Sequence, residues 1–197
     1  MNAGITTSFI VGGLLLLAIL QFSSNVFQNS AEITLDMNDK HNIVTLRQII
    51  EHDFSRIGFG NGPNDVIKNF NPPHLIIFNA DLTGNNSAAE VKWHFKSNKP
   101  VNSTSNPNDH VLLRHAPMDS SNGRVKNKYH VVDFSITGYS DANGENTTTD
   151  KNDIKSILVE VIYESPEAVT QKTNGTQYSR STWRKLFVPS NLQFKTF

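Results

Sequence analysis

The 197-residue chain of 22.0 kDa has room for one ordinary domain and an appendage. Its 18 basic and 18 acidic residues give a net charge of +0, so no overall field attracts polyanions and no nucleic-acid partner is predicted. The absence of cysteine excludes disulfides, thiolate metal sites and cysteine nucleophiles.

The N-terminal segment is the most apolar part of the chain. Ile5 to Phe22 carries no charge and has about the length needed to cross the hydrocarbon core of a bilayer. Three interpretations are open: a retained membrane span, a cleaved secretory signal and a core helix of a soluble protein. The first four residues contain no Lys or Arg, and residues 21–32 offer no clean cleavage site, which disfavours a signal peptide. A core helix would seldom be apolar on all faces. We therefore predict a transmembrane helix over residues 1–31.

Residues 32–58 are predicted to continue this span as an amphipathic helix. Apolar residues recur there at intervals of three and four, and they are Ile43, Leu46, Ile50, Phe54 and Ile57. This face is predicted to pack on a sheet. Gly58 is placed to end the helix, whereas the weak helix formers of residues 36–42 predict a melted or kinked joint.

Residues 59–197 are predicted to form an antiparallel β domain. Apolar and polar residues alternate over 90–95 and 132–137, and residues 154–163 are apolar on both faces. Weaker strand signals cover 74–79, 110–115 and 182–188. Turns are predicted at 81–84, 121–123 and 141–144, and the tail 189–197 is predicted to dock through Leu192, Phe194 and Phe197. The predicted fold class is α+β, a long N-terminal helix packed on an antiparallel sheet.

This order of segments resembles type IV pilin-like proteins, particularly minor pilins and minor pseudopilins of the PilW and GspJ kind. The resemblance rests on the helix exit at residues 46–60, on the strand, Asp-x-Asn-Gly turn and strand of residues 132–162, and on the ending Phe187 to Leu192. It covers nearly the whole chain as an order of degenerate motifs.

The resemblance implies a non-enzymatic subunit of a bacterial type IV pilus, type II secretion pseudopilus or related filament. Its partners would be other pilin-like subunits in the inner membrane, and its β domain would be periplasmic or extracellular. Prepilin-type processing would fall between Gly4 and Ile5, although Phe9 stands where the family has Glu. The candidate positions for packing against partner helices are Gly12, Gly13, Leu16 and Leu20.

No catalytic, cofactor-binding or metal-binding pattern is found, so no enzyme activity and no cofactor are predicted. Asp141, Asn143 and Glu145 could supply calcium ligands, but Gly144 comes too early for a calcium loop, which favours a plain turn. Asp53 is predicted either to pair with Arg56 on the helix surface or to be buried against the sheet. The alternative function is a single-pass anchored β-domain binding module outside any filament.

Overall fold

The computed structural model describes residues 3–60, 65–117, 123–168, 170–172 and 175–193. The predicted turn at 121–123, apart from Gly123, and two tail residues, Phe194 and Phe197, lie outside this part of the chain. The chain divides into two compact units, Met1–His41 and Asn42–Phe197.

Helix α1 covers Ala3–Ser55 and contributes to both units. Residues 36–42 are helical, where weak helix formers predicted a melted or kinked joint. The helix ends at Ser55, three residues before Gly58, and the next residues form turns. Gly58 has a φ of 78°, and its N–H donates to the carbonyl of Asn79 at 2.8 Å. A glycine is therefore needed where the chain leaves the helix.

The first sheet is a five-stranded antiparallel meander in the order β1-β2-β3-β4-β5. Its strands are β1 (Ile67–Asn71), β2 (Leu75–Ala80), β3 (Ala89–Pro100), β4 (His110–Pro117) and β5 (Arg124–Val131). The strands predicted at 74–79, 90–95 and 110–115 are confirmed as β2, β3 and β4. Strand β5 was missed because its sequence, RVKNKYHV, is mostly polar.

The second sheet has four strands in the order β11-β8-β6-β7. They are β6 (Asp133–Tyr139), β7 (Thr147–Thr148), β8 (Ser156–Glu164) and β11 (Arg180–Phe187). Strands β9 (Thr170–Lys172) and β10 (Gly175–Gln177) form a hairpin, and the short helix α2 covers Ser190–Gln193. The α+β class is therefore correct, with two main antiparallel sheets where one was predicted.

The core of the second unit lies between the C-terminal part of α1 and both sheets. Phe54 is fully buried, and its ring centroid lies 5.6 Å from that of Phe78, 6.3 Å from that of Trp93 and 5.4 Å from that of Phe187. The structure buries the whole apolar face of this helix segment, namely Ile43, Leu46, Ile50, Phe54 and, just past the helix end, Ile57. Leu192 of α2 is also buried, so the described part of the tail docks.

Candidate functional site

The N-terminal part of α1 has an exposed apolar surface. Within the described residues, one helical segment, Gly4–Ser30, is long and apolar enough to cross a membrane, and none of its most apolar stretch is buried. Its 27 residues extend about 40 Å at 1.5 Å per residue, more than the roughly 30 Å of a bilayer core. This exposure differs from that of a core helix in a soluble protein.

Hydroxyl groups near both ends of this segment bond to the helix backbone. Thr7 Oγ1 donates to the carbonyl of Gly4 at 3.0 Å, and Thr34 Oγ1 donates to the carbonyl of Ser30 at 2.8 Å. Because lipid offers no hydrogen-bond partner, such internal bonds lower the cost of placing a hydroxyl in a bilayer.

One face of this helix carries a shallow groove. It is lined by Gly4, Ile5, Ser8, Phe9, Gly12, Gly13 and Leu16. The groove exists because small residues recur every four positions at Gly4, Ser8 and Gly12, and residues four apart lie on one face. Apart from the neighbouring backbone of the helix itself, no heavy atom of the described residues lies within 4 Å of a Cβ built on Gly12 or Gly13, so another helix backbone has room to approach there.

The predicted processing and helix-packing residues thus lie on the same apolar helix. Ile5 is 60% exposed and Phe9 is 78% exposed. Leu20, one turn beyond Leu16, is 58% exposed. The Gly4–Ile5 bond lies inside α1, and its cleavage stays a prediction.

A buried ion pair fixes the second half of α1 to the first sheet. Nε and Nη2 of Arg114 on β4 donate to Oδ2 and Oδ1 of Asp53 at 2.7 and 2.8 Å. Nε1 of Trp93 on β3 donates to Oδ2 of the same carboxylate at 3.0 Å. Asp53 is fully buried, so the second of its two predicted environments is confirmed. Arg56 donates to the carbonyl of Leu82 at 3.1 Å.

Sequence reasoning missed Arg114, although the pattern around this residue indicates that its side chain is buried. An arginine inside the apolar run from Val111 to Ala116 is unusual, and its alternation with Leu112 assigns it to the buried face of β4. Burial acts to lower the pKa of Arg114, but the hydrogen bonds and charge of Asp53 raise the pKa overall. The guanidinium of Arg114 therefore stays charged, and its two hydrogen bonds to Asp53 position the helix on the sheet.

Two loops are closed by an aspartate that accepts backbone hydrogen bonds. Asp81 Oδ1 accepts the N–H groups of Thr83, Gly84 and Asn85, and its Oδ2 accepts that of Asn86 at 2.7 Å. Asp141 does the same for three N–H groups, those of Asn143, Glu145 and Asn146. Gly84 and Gly144 have φ values of 75° and 78°. The predicted turns at 81–84 and 141–144 are confirmed, and both oxygens of Asp141 are directed to its own loop.

A cavity of about 260 Å³ lies beside the first turns of the second unit's helix segment. Its lining includes Asn42, Thr45, Asp109, His130 and Glu164. Glu164 Oε2 accepts from Asn106 at 3.2 Å and from Asn108 at 3.0 Å. In the described part of the chain, neither carboxylate oxygen of Asp109 has a hydrogen-bond partner. Burial raises the pKa of Asp109.

No cluster of three or more His, Asp or Glu side chains with metal-binding geometry occurs among the described residues. The absence of an enzyme activity, a cofactor and a metal stays a prediction.

Comparisons with protein-family models, with curated proteins and with solved structures give no match.

Proposed function

We propose that this protein is a non-enzymatic, minor or tip subunit of a bacterial type IV pilus, type II secretion pseudopilus or related filament. The observation that carries the proposal is the exposed apolar helix Gly4–Ser30, which belongs to a chain whose remaining part forms a well-packed α+β domain. Such a helix needs an apolar environment, either lipid or the helices of other subunits.

Assembly would exchange lipid contacts for subunit contacts. Lipid tails are as apolar as leucine side chains, so burial alone does not favour helix association in a membrane. Close packing does, and the groove around Gly12 offers room for it, with Phe9 and Leu16 beside it for contact with a neighbour. The groove therefore adds to the support that the exposed apolar helix gives to an assembly role.

The Asp53–Arg114 pair supports the same proposal from the other end of α1. Pulling on an assembled helix would load its attachment to the β domain. The attachment consists of the buried apolar face and of a carboxylate that binds two strands of the first sheet. Breaking a buried ion pair is costly, so the helix end resists displacement from the sheet.

A single-pass anchored binding module is the alternative function. In both cases the helix would lie in the inner membrane, with the β domain periplasmic or extracellular. In the alternative case its only neighbours would be lipids, and bulk added to the groove would change nothing.

The two functions are separated by Gly12→Leu in the full chain, expressed in its own host. Ala18→Leu is the matched control, because it adds comparable bulk on a different face of the helix, about 120° from Gly12 at 100° per residue, and Ala18 does not line the groove. Copurification of other membrane proteins with apolar N-terminal helices is measured after mild detergent extraction, and tryptophan fluorescence checks the β domain.

We expect Gly12→Leu to lower the amount of copurified partner several-fold while Ala18→Leu retains it. Equal recovery with both variants, or isolation of the native chain without any such partner, contradicts the filament proposal and favours the anchored module. Intact-mass analysis of the same preparation gives the N-terminus, since a chain beginning at Ile5 has undergone prepilin-type processing.

A further inference from the structure

The outward side of the first sheet carries a concentration of positive charge. The strand register aligns Lys92 with His115 and His115 with Lys126 across β3, β4 and β5. Directly opposed residues of antiparallel strands lie on one face, and alternate residues of a strand share that face. Lys96 and Arg124 therefore belong to the same side. We name Lys92, Lys96, Arg124 and Lys126, with His115 among them, the basic face.

The basic face contrasts with the balanced charge of the whole chain. Glu90, two residues before Lys92 on the same side of β3, forms ion pairs with Lys68 at 3.3 Å and with Arg124. Among the residues that the structure describes, Lys92, Lys96 and Lys126 have no carboxylate within 4.0 Å. Like charges placed together repel one another, and a bound polyanion would relieve that repulsion.

The pKa values of two histidines on this side are lowered in part by the same positive charges. Burial lowers the pKa of His115, and the charges of Lys126, Lys92, Arg124 and Lys96 lower it further. The same two causes lower the pKa of His94, where Lys92 and Lys96 are the charged neighbours. In the described part of the chain, Nε2 of His115 is buried and has no hydrogen-bond partner.

The residue types on this side distinguish between classes of partner. Protein–protein interfaces are depleted of lysine and enriched in aromatic residues at their centres. Membrane-surface binding combines basic residues with exposed apolar side chains. The described outward positions of β2 to β5 contain no Trp, Phe or Tyr. Their large apolar residues are Leu75, Ile77 and Val111, which are half-buried, and Leu113, which is buried, so none of them projects as a fully exposed anchor. Without aromatic residues there is also no surface on which unpaired bases could stack.

The spacing of the cations fits a linear polyanion. Neighbouring strands lie about 4.8 Å apart and alternate residues of one strand about 6.7 Å apart, so Lys92 and Lys126 are separated by two strand spacings, about 10 Å. Double-stranded nucleic acid carries a charge every 3.4 Å along each strand, so several phosphates lie within reach of such an array.

We propose that the basic face binds the phosphate backbone of double-stranded nucleic acid without reading its sequence. The dissociation constant is expected in the range of nonspecific binding, about 10⁻⁴ to 10⁻⁶ M at physiological salt. This inference does not depend on the proposed filament, because the isolated chain carries the whole face.

The test is fluorescence anisotropy of a labelled 30-base-pair DNA duplex of random sequence, titrated with the full chain in nonionic detergent. One variant combines Lys92→Gln, Lys96→Gln and Lys126→Gln. The control combines Lys151→Gln, Lys155→Gln and Lys185→Gln, which changes the net charge by the same amount elsewhere. Affinity is measured between 50 and 200 mM salt.

We expect the first variant to bind at least about tenfold more weakly at 50 mM salt. The slope of log K against log salt concentration should also become smaller in magnitude by about 2.7, since each of the three lost phosphate contacts removes about 0.9. The control should stay within about twofold of the native chain. Equal losses in both variants, or no duplex binding at 50 mM salt, would overturn the proposal.

Two competitors identify the polyanion. A sulfated polysaccharide and vesicles of phosphatidylglycerol are added to the preformed complex at equal charge concentration. Duplex DNA should be retained against both. Unlabelled duplex is titrated as the reference competitor. If either other competitor displaces the labelled duplex at a lower charge concentration than unlabelled duplex does, the assignment to nucleic acid is overturned. The basic face would then bind the chemical class of that competitor.

Discussion

Removal of the Asp53 carboxylate is the sharpest test of how α1 is held on the sheet. In Asp53→Asn, the guanidinium of Arg114 stays buried, with 8% of its side chain exposed, but faces a neutral amide. Two charge-assisted hydrogen bonds weaken, each worth about 1.5–3 kcal/mol, and removing one partner of a buried pair costs about 3–5 kcal/mol. Because asparagine keeps one acceptor oxygen, we expect a loss of about 3 kcal/mol. Domains of this size are stabilised by about 5–15 kcal/mol, so the loss is a large fraction.

The pair is isolated by a double-mutant cycle with Arg114→Met. That variant leaves the Asp53 carboxylate buried with the Trp93 indole at 3.0 Å and the His52 ring, whose Nδ1 lies 3.5 Å from Oδ1, and we expect a cost of about 4 kcal/mol. The double variant buries neither charge, so its cost should fall at least about 2 kcal/mol below the sum of the single variants.

The assay is chemical denaturation of the full chain in nonionic detergent, followed by tryptophan fluorescence, because Trp93 is fully buried in the core. Glu51→Gln is the control on the same helix. It removes an ion pair with Lys185 at 3.3 Å between side chains that are 37% and 45% exposed, and it should cost at most about 1 kcal/mol. A cost below about 1 kcal/mol for Asp53→Asn, or a coupling energy near zero, would refute this account of the junction.

Two further predictions concern backbone strain and acid stability. Gly58→Ala should cost at least about 1 kcal/mol more than Gly84→Ala in the same denaturation assay: both residues have positive φ, but only at Gly58 would the new Cβ lie 2.8 Å from Cβ of Asn191. Equal costs would contradict the clash. Burial acts to raise the pKa of Asp81, but backbone N–H groups lower it overall, so its contribution is present above its ordinary pKa and is lost as the pH falls through the lowered value. The raised pKa of Asp109 has the opposite sign, with a cost at neutral pH that acidification removes. The native chain and both variants are denatured at several pH values from 7 to 3. At pH 7 we expect Asp81→Asn to be less stable and Asp109→Asn to be more stable than the native chain. The reverse order of stabilities would contradict both assignments.

Local patterns in the sequence are sufficient to predict much of the fold. Ile50 and Phe54 were assigned to the buried helix face because a helix repeats every 3.6 residues, and both are fully buried. Alternation in residues 154–163 likewise assigned Ile157, Val159 and Val161 to one face, and all three are buried. Strand β5 escaped detection because lysines occupy its outward positions and weaken the apolar signal.

The apolar N-terminal helix, the buried helix face and several strands could be predicted from local sequence patterns, since each depends on residues close together in the chain. Contacts between distant residues depend on how the elements pack, and local patterns do not predict them. Asp53 and Arg114 are 61 residues apart, and their contact depends on how the helix packs against β4. The basic face likewise arises because the register of the sheet aligns lysines of separate strands. The net charge of +0 is a sum over the whole chain and does not show where the charges lie. Periodicity reports the faces of one element, and pairing between elements follows from packing and register.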